Sequence, residues 1–472
     1  MTATQRWTLT VVCAATAMLM LDIAVVNTAL STIASDLDTD LSGLQWVVDA
    51  YTLTLAATVI TAGSLADRFG RRRLFVAGLA LFTAMSLLCG VAPSITMLNV
   101  SRAAQGVGAA IMFAVSLAVL SHAFPRPHER MKALAAYGAT MPGAFAIGPL
   151  VGGALTSGLG WRWIFLINLP LRVACLWIVR RRVAESSDPR APRVDLAGVL
   201  TLTGALFLLV FALLRGNDVG WASPTILASF AGALALGAAF IAVEARGAHP
   251  MLPLGLFRNP SFSGAQVGAF GISASLFALW LYLTLYLQQV LGLSAIEAGL
   301  VFVPGTVLNF LVAGASASLA PKVSARTFVA GGLTLIGAGL ALLTLVGAET
   351  AWWLFLPGLL VAMVGTGMLN PALAQVALSS APPERSGLAA GVNDMFRQAG
   401  IAVGVAALGA LIPAGAALGA GSPQAYVDGL HDALWVGVAV ALASAVATAL
   451  LIGRQSPARP SRSVKLAPDP AS

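Results

Sequence analysis

Apolar runs of about 20 residues recur along the whole chain and restrict its fold more than any other feature. A helical run of this length crosses the roughly 30 Å hydrocarbon core of a bilayer. The chain is 58% hydrophobic and 10% charged, whereas a soluble domain carries about 25% charged residues. The sequence therefore predicts an all-α membrane protein. Its fourteen predicted spans lie near 8–30, 44–63, 74–92, 96–118, 133–154, 163–179, 195–214, 223–242, 262–288, 296–318, 327–346, 352–378, 387–412 and 431–452.

Two other interpretations of these runs fit less well. An outer-membrane barrel alternates apolar and polar residues over strands of about 10 residues, and the runs show no such alternation. The first run resembles a secretory signal because Arg6 precedes it, but it continues through Asp22 and another run follows at once. We interpret it as a retained transmembrane helix.

Basic residues concentrate in every second connection between the predicted spans. With the N-terminus inside, twenty-two Lys and Arg fall on the cytoplasmic side, and only Arg162, Arg172 and Arg215 fall outside. Since Lys and Arg accumulate in short cytoplasmic loops, both termini are predicted to be cytoplasmic in a multi-pass cell-membrane protein. The net charge of +8 then reflects topology and attraction to anionic lipid. No basic, aromatic-interleaved module indicates nucleic-acid binding.

Residue patterns typical of enzymes and metal sites do not occur in the sequence. The three cysteines lie inside predicted spans without metal-ligand spacing, and the four histidines fall in loops away from any credible nucleophile. There is no GxxxxGK[ST] phosphate loop. We therefore expect neither an enzyme nor a bound metal or cofactor, and an ion gradient is the expected driving force.

A weak internal repeat suggests two related halves. Residues 64–78 join spans two and three, and they resemble residues 318–331, which join spans ten and eleven. This offset of eight spans fits two six-helix halves separated by two extra helices, a plan of secondary transporters; chance similarity between basic loops is the alternative. We predict a first half at 1–183, a linker and two central helices at 184–260, a second half at 261–453 and a basic cytoplasmic tail at 454–472.

The first of these loops carries a recognisable signature. Gly63–Arg73 reads GSLADRFGRRR and resembles the GxLaDrxGrkxxl signature of the major facilitator superfamily. Gly63 is expected to let helices approach closely, Asp67 to meet a helix N-terminus or an arginine, and Gly70 to allow a tight turn. The basic residues expected to hold the loop inside include Arg68, Arg71 and Arg72.

Further strings narrow the resemblance to the fourteen-span drug:proton antiporter branch. Residues 98–108 resemble the RxxqGxg element, and residues 142–153 resemble the GxxxGPxxGG element, although Ala144 replaces one glycine. The second element is expected to pack closely and to bend span five. Its matching residues are Gly148, Pro149, Gly152 and Gly153. Matches at 21–30, 44–51, 161–170 and 286–292 support the same branch. The chain departs from the pattern of this branch at Ala24, at Ser31 directly after the first match, and at Asp49.

We single out five ionisable residues within predicted spans as candidates, because such residues are costly in lipid unless they are paired or functional. They are Asp22, Asp49, Arg102, Asp394 and Arg397. The resemblance implies that Asp22 pairs with Arg102, and the three-residue spacing of Asp394 and Arg397 allows a self-contained pair. Our hypothesis is that protonation of Asp22 from outside, assisted by Asp49, weakens a charge pair and favours substrate release. Asp49 is also expected to favour cationic cargo.

The resemblance implies the major facilitator fold and a monomeric, proton-driven exporter of small amphiphilic drugs or antibiotics. The residues expected to line its substrate cavity are Asn27, Gln45, Tyr51, Gln105, Phe145, Trp280 and Phe396. A proton-coupled uptake symporter and an exporter of an endogenous metabolite are the alternatives, and sodium is the alternative ion. Neither a membrane enzyme nor a non-transporting receptor accounts for the intramembrane charges and motifs.

Overall fold

The computed structural model describes residues 1–187, 195–247, 250–320, 322–382, 385–413, 416 and 421–453. The predicted linker residues 188–194 and the predicted tail 454–472 lie outside the described residues. Fourteen long helices and no strands occur in the described part. They are α1 Ala3–Leu37, α2 Leu41–Phe69, α3 Arg71–Gly90, α4 Ile95–Ala123, α5 Pro127–Leu159, α6 Trp163–Arg182, α7 Leu196–Val219, α8 Pro224–Arg246, α9 Pro260–Val290, α10 Ala295–Leu319, α11 Ala325–Leu343, α12 Leu356–Ser379, α13 Ser386–Gly409 and α14 Pro423–Leu451.

Thirteen of these helices are long and apolar enough to cross a membrane. The other is α13, whose hydropathy is lowered by a polar group that includes Asp394 and Arg397. The predicted all-α, multi-span fold is confirmed. Several helices extend beyond the apolar runs, as α1 does from Ala3 to Leu37, because polar residues continue the helix past the hydrocarbon layer.

Side-chain caps define where helices begin. Asp40 accepts a hydrogen bond from Gly43 N at the start of α2, and Ser294 forms a reciprocal capping box with Glu297 at the start of α10. Such caps satisfy backbone N–H groups that have no partner within the helix. The connections can therefore be short, and a single residue, Gly70, separates α2 from α3.

Helix packing repeats with an offset of eight helices. In the first group α2 and α3 pack on α4, and α1 packs on α5; in the second, α10 and α11 pack on α12, and α9 packs on α13. Helices α7 and α8 pack on each other, and α7 also contacts α2 and α13. This pattern supports α1–α6 and α9–α14 as two halves, and the boundaries given for them stay a prediction.

Two helix pairs dominate the contact between these halves. They are α2 with α13 and α5 with α10, and the eight-helix offset relates one pair to the other. We name the two ends of the bundle by their connections. The Asp40 end holds the α1–α2, α5–α6 and α9–α10 connections, and the Gly70 end holds the α2–α3 connection.

Candidate functional site

Asp22 and Arg102 form an ion pair inside the first half. Their side chains, on α1 and α4, are 0% and 2% exposed. Arg102 Nη1 donates to Asp22 Oδ2 over 2.7 Å. Gln105, nearly one turn along α4, donates from Nε2 to Asp22 Oδ1 over 3.1 Å. Both oxygens of this carboxylate therefore accept hydrogen bonds.

The guanidinium of Arg102 is fixed by further contacts. Its Nε donates to the carbonyl oxygen of Val47 over 3.0 Å, and its Nη1 also donates to Gln105 Oε1 over 2.7 Å. The guanidinium carbon lies 4.2 Å from the ring centroid of Tyr51, a cation–π distance. Tyr51 and Gln105, expected to line a cavity, are thus buried around the ion pair.

Arg172 is a second buried cation beside Asp22, and its assignment to the outside was wrong. Its side chain on α6 is 0% exposed, and Nη2 lies 3.8 Å from Asp22 Oδ1. Nη1 donates to Ser86 Oγ, and the guanidinium lies 4.0 Å from the ring centroid of Phe82. The available signal was its position inside the apolar run 163–179, where a cation needs a partner.

Asp49 is a buried carboxyl, and neither of its oxygens has a hydrogen-bond partner among the described residues. It lies one helical turn from Gln45 and from Leu53 on α2, so the three share one face. Leu53 packs with Ala402 and Ala406 of α13. Asp49 therefore faces the contact between the two halves.

The same face of α2 is closed against α9 and α13 at the Asp40 end. Gln45 Nε2 donates to Tyr282 Oη over 2.8 Å, and Tyr282 donates in turn to the carbonyl oxygen of Val405. A Cβ at Gly409 would collide with Gln45 and Tyr282. Gln45, predicted to line a cavity, is part of this closure.

Asp394 and Arg397 do not form the self-contained pair that their spacing allows. Arg397 Nη1 donates to Asn370 Oδ1 of α12 over 3.0 Å, and Asp394 Oδ2 has no hydrogen-bond partner among the described residues. The long side chain of Arg397 reaches the neighbouring helix α12 instead of turning back along α13. Asp394 is therefore a second buried carboxyl with an unsatisfied oxygen.

Aromatic side chains gather where α5 meets α9 and α10. The ring centroid of Phe145 lies 5.6 Å from that of Trp280 and 5.8 Å from that of Phe277. Trp280 stacks on Phe302 with centroids 4.5 Å apart. Since α5 belongs to one half and the other helices to the second, this cluster joins the halves.

Two other predicted cavity residues lie outside this cluster. Phe396 on α13 packs near Phe257, with ring centroids 6.0 Å apart. Asn27 donates to the carbonyl oxygen of Ile23 in its own helix over 3.2 Å. The structure therefore brings Phe145 and Trp280 together and leaves Phe396 and Asn27 apart.

Two glycines of α5 allow close approach to α1. A Cβ at Gly148 would collide with Ala24, and a Cβ at Gly152 would lie 2.9 Å from Val25 Cα. These separations are too short for real side-chain contacts. The element therefore packs α5 tightly within the first half, as the sequence predicts.

The opposite side of the same element packs on α10. A Cβ at Gly153 would lie 2.5 Å from the carbonyl oxygen of Ala295, and a Cβ at Gly299 would collide with the carbonyl oxygen of Pro149. The two backbones therefore touch across the contact between the halves.

The Gly63–Arg73 signature forms the turn at the Gly70 end. Gly70 has a φ of +109°, a backbone conformation that favours glycine, so its predicted role in the turn is confirmed. Asp67 pairs with Arg71 at 2.8 Å, one of its two expected partners. The prediction for Gly63 was wrong, because a Cβ there would have no atom of the described residues within 4 Å.

Glu185, which the sequence analysis missed, caps the helix that follows the signature. Its carboxylate accepts from the backbone N–H groups of Arg72, over 3.0 Å, and Arg73, over 3.2 Å. An anion at a helix N-terminus is favourable, and no local motif predicts one supplied from over 100 residues away. Arg68 instead lies against the ring of Phe69, 5.6 Å from its centroid.

We expect Glu185→Ala to lower the unfolding temperature, because two N–H groups of α3 lose their acceptor. The loss corresponds to about 1 kcal/mol in the free energy of unfolding. Thermal unfolding in detergent measures it. Glu349→Ala is the matched control, since Glu349 is exposed in the connection between α11 and α12, and an equal shift in both variants would contradict the capping role.

The comparisons with known proteins agree with this architecture. Residues 12–405 match the profile of the Major Facilitator Superfamily. A methylenomycin A resistance protein of Streptomyces coelicolor is 34% identical over 395 residues, which cover 84% of this chain and 83% of that protein. A cephamycin export protein of Amycolatopsis lactamdurans is 34% identical over 469 residues, covering 97% and 95%.

The fold also matches a solved transporter. A crystal structure of a peptide transporter in complex with sulfate superposes with a TM-score of 0.68 at 17% identity, covering 94% of this chain and 95% of that one. At this identity the likeness concerns the fold alone. With the match across residues 12–405, the resemblance found in the sequence is confirmed: the chain belongs to the major facilitator superfamily of membrane transporters and is not an enzyme.

Proposed function

We propose that this protein is a monomeric, proton-driven antiporter that exports small amphiphilic drugs or antibiotics across the cell membrane by alternating access. The observation that carries this proposal is Asp49, a buried carboxyl at the contact between the halves that has no hydrogen-bond partner among the described residues. An intramembrane carboxyl in this position is suited to exchange a proton for a cargo.

The names of the relatives support the cargo class and the direction. One is a resistance protein for methylenomycin A and another an export protein for cephamycin. Resistance to an antibiotic by a membrane transporter requires that the antibiotic leave the cell. The aromatic cluster of Phe145, Phe277 and Trp280 supplies the apolar surface that such cargo needs.

The charge distribution supports the orientation. The Gly70 end carries Arg68 and Arg71–Arg73, together with Arg180–Arg182 at the end of α6. Because basic residues collect on the cytoplasmic side and attract anionic lipid, we place the Gly70 end and both termini in the cytoplasm. The Asp40 end then faces outward.

The contacts between halves suggest how access alternates. At the Asp40 end Gln288 Nε2 donates to the carbonyl oxygen of Thr28 over 3.0 Å, and Ile296 N donates to Ser157 Oγ over 3.2 Å. These bonds join the halves on the outward side. Opening to the outside breaks them and separates α5 from α10 and α2 from α13, as rocking of two related halves requires.

We expect Gly153→Ala to reduce drug efflux at least tenfold, because the added Cβ would lie 2.5 Å from the Ala295 carbonyl oxygen and hold α5 away from α10. Gly158→Ala on the same helix is the matched control, since a Cβ there meets nothing within 4 Å. Efflux from cells loaded with a fluorescent drug measures both. Efflux at the wild-type rate in Gly153→Ala would show that transport does not need this close contact.

A resistance profile tests the proposal as a whole. The gene is expressed in a host lacking its own pumps, and growth is measured against chemically diverse toxic compounds, with and without a proton uncoupler. We expect resistance to a set of amphiphilic compounds, lost when the uncoupler is present. Drug accumulation in the expressing cells would instead identify an uptake symporter and refute export.

A further inference from the structure

A second arginine changes the role that Asp22 can take. Asp22 accepts from Arg102 and Gln105, and Arg172 Nη2 lies 3.8 Å from its Oδ1. The side chains of this cluster are at most 2% exposed, and they are Asp22, Ser86, Arg102, Gln105 and Arg172. Two cations therefore face a single carboxylate in the interior of the first half.

No other acid balances these cations among the described residues packed around Asp22. Helix α2 presents Val47 and Tyr51, and its buried acid, Asp49, lies on another face with Gln45 and Leu53. Helix α3 presents Cys89, α4 presents Arg102 and α6 presents Arg172. On α5 the ionisable residues lie in the segment 128–137 toward the Gly70 end, and on α9 they are tyrosines. The cluster thus has a net charge of +1 when Asp22 is ionised.

A proton on Asp22 would raise this charge to +2 and convert one of its two acceptor oxygens into an O–H donor. Buried like charges without a counter-charge are strongly unfavourable. The aromatic faces of Tyr51 and Phe82 accommodate the guanidinium groups, but they do not replace an anion. The ionised form of Asp22 is the one that the surrounding residues require.

Asp49 has the opposite surroundings. It accepts no hydrogen bond from the described residues. One turn away on one side the α13 residues near Leu53 are apolar, and one turn away on the other side the uncharged Gln45 and Tyr282 bond each other. Its position at the contact between halves exposes it to water whenever α2 separates from α13. A group that alternates between a closed apolar contact and water can exchange a proton in each transport cycle.

We propose that Arg172 acts with Arg102 to hold Asp22 as a permanent anion, and that Asp49 carries the exchanged proton. Arg172 is then a positioning residue, and the hypothesis that Asp22 is the proton carrier is replaced. This inference rests on the proposed proton coupling of the transporter. It depends on Arg172, which the sequence had led us to count on the outer side of the membrane.

A charge-matched double variant tests the role of Asp22. Asp22→Asn alone leaves two buried arginines without an anion, and we expect at least a tenfold loss of drug transport in proteoliposomes. Asp22→Asn combined with Arg172→Gln restores the net charge of +1. We expect the double variant to recover at least half of the pH-gradient-driven transport. Drug movement that no longer responds to the pH gradient would show that Asp22 carries the proton.

The single variant Arg172→Gln provides a second test that does not depend on the double variant's folding. It leaves the Asp22–Arg102 pair balanced, and we expect transport to become sensitive to acid over a pH range in which the wild type is not, because Asp22 has lost one cation. Arg172→Lys should keep the wild-type pH profile. An unchanged profile in Arg172→Gln would overturn the proposal.

Two controls separate this inference from the proposed function. Arg215→Gln removes a 43% exposed arginine at the end of α7 and should alter neither transport nor its pH profile. If wild-type protein moves drug without any response to a pH gradient, proton coupling itself fails. If the wild type is coupled and only the predictions for Arg172 fail, the function stands and this inference does not.

Discussion

Replacing Asp49 with asparagine is expected to abolish proton-driven drug accumulation and to leave the protein folded in the membrane. Asparagine has nearly the same shape, and the carboxyl that it replaces accepts no hydrogen bond from the described residues. We expect accumulation against a gradient to fall at least a hundredfold. Neutral drug still moves down its gradient, whereas cationic drug loses its counter-charge and is carried poorly.

Reconstituted vesicles measure this effect, with one cationic and one neutral compound compared in each variant. Asp218→Asn is the matched control, since Asp218 pairs with Arg215 at 3.5 Å and is 42% exposed. The control should transport both compounds like the wild type. Retained accumulation and an unchanged substrate profile in the Asp49 variant would contradict both roles given to this carboxyl.

Replacing Arg102 with leucine has the largest expected effect on stability. The substitution leaves Arg172, at 3.8 Å, as the one cation beside the buried Asp22 among the described residues, and it removes three hydrogen bonds and a cation–π contact from the core. Breaking a buried ion pair by removing one partner costs about 3–5 kcal/mol. We expect low expression and a markedly lower unfolding temperature.

Thermal unfolding in detergent compares this variant with Arg126→Ala. Arg126 pairs with Glu129 at 3.3 Å, but its side chain is 80% exposed, and exposed pairs contribute little to stability. The control should unfold at the wild-type temperature. A wild-type unfolding temperature for Arg102→Leu would mean that the buried pair does not stabilise the first half.

The fold could be predicted largely from the sequence because lipid imposes simple requirements. A crossing helix needs about 20 apolar residues, and the runs meet that length. The role of Gly70 in the turn could be predicted because glycine adopts the positive φ that such a tight turn needs. The need of Arg102 for a partner followed from the cost of a lone cation in lipid, and the family resemblance pointed to Asp22.

The depth and rotation of individual side chains could not be predicted in the same way. Lipid and protein interior are both apolar, so a membrane helix shows little contrast between its faces. Sequence reasoning therefore counted Arg172 on the outer side of the membrane, and the spacing of Asp394 and Arg397 could not show that Arg397 bonds Asn370 instead. Glu185 meets its partners through a contact with no local sequence signal.

Drug uptake into proteoliposomes under an imposed pH gradient tests the central claim of proton-driven export most directly. With the cytoplasmic face outward and an acidic lumen, protons leaving the vesicle should drive the drug inward above its external concentration. The account predicts that accumulation disappears with an uncoupler and is unaffected by a sodium gradient. Accumulation sustained by a sodium gradient alone, or no accumulation with an acidic lumen, would contradict it.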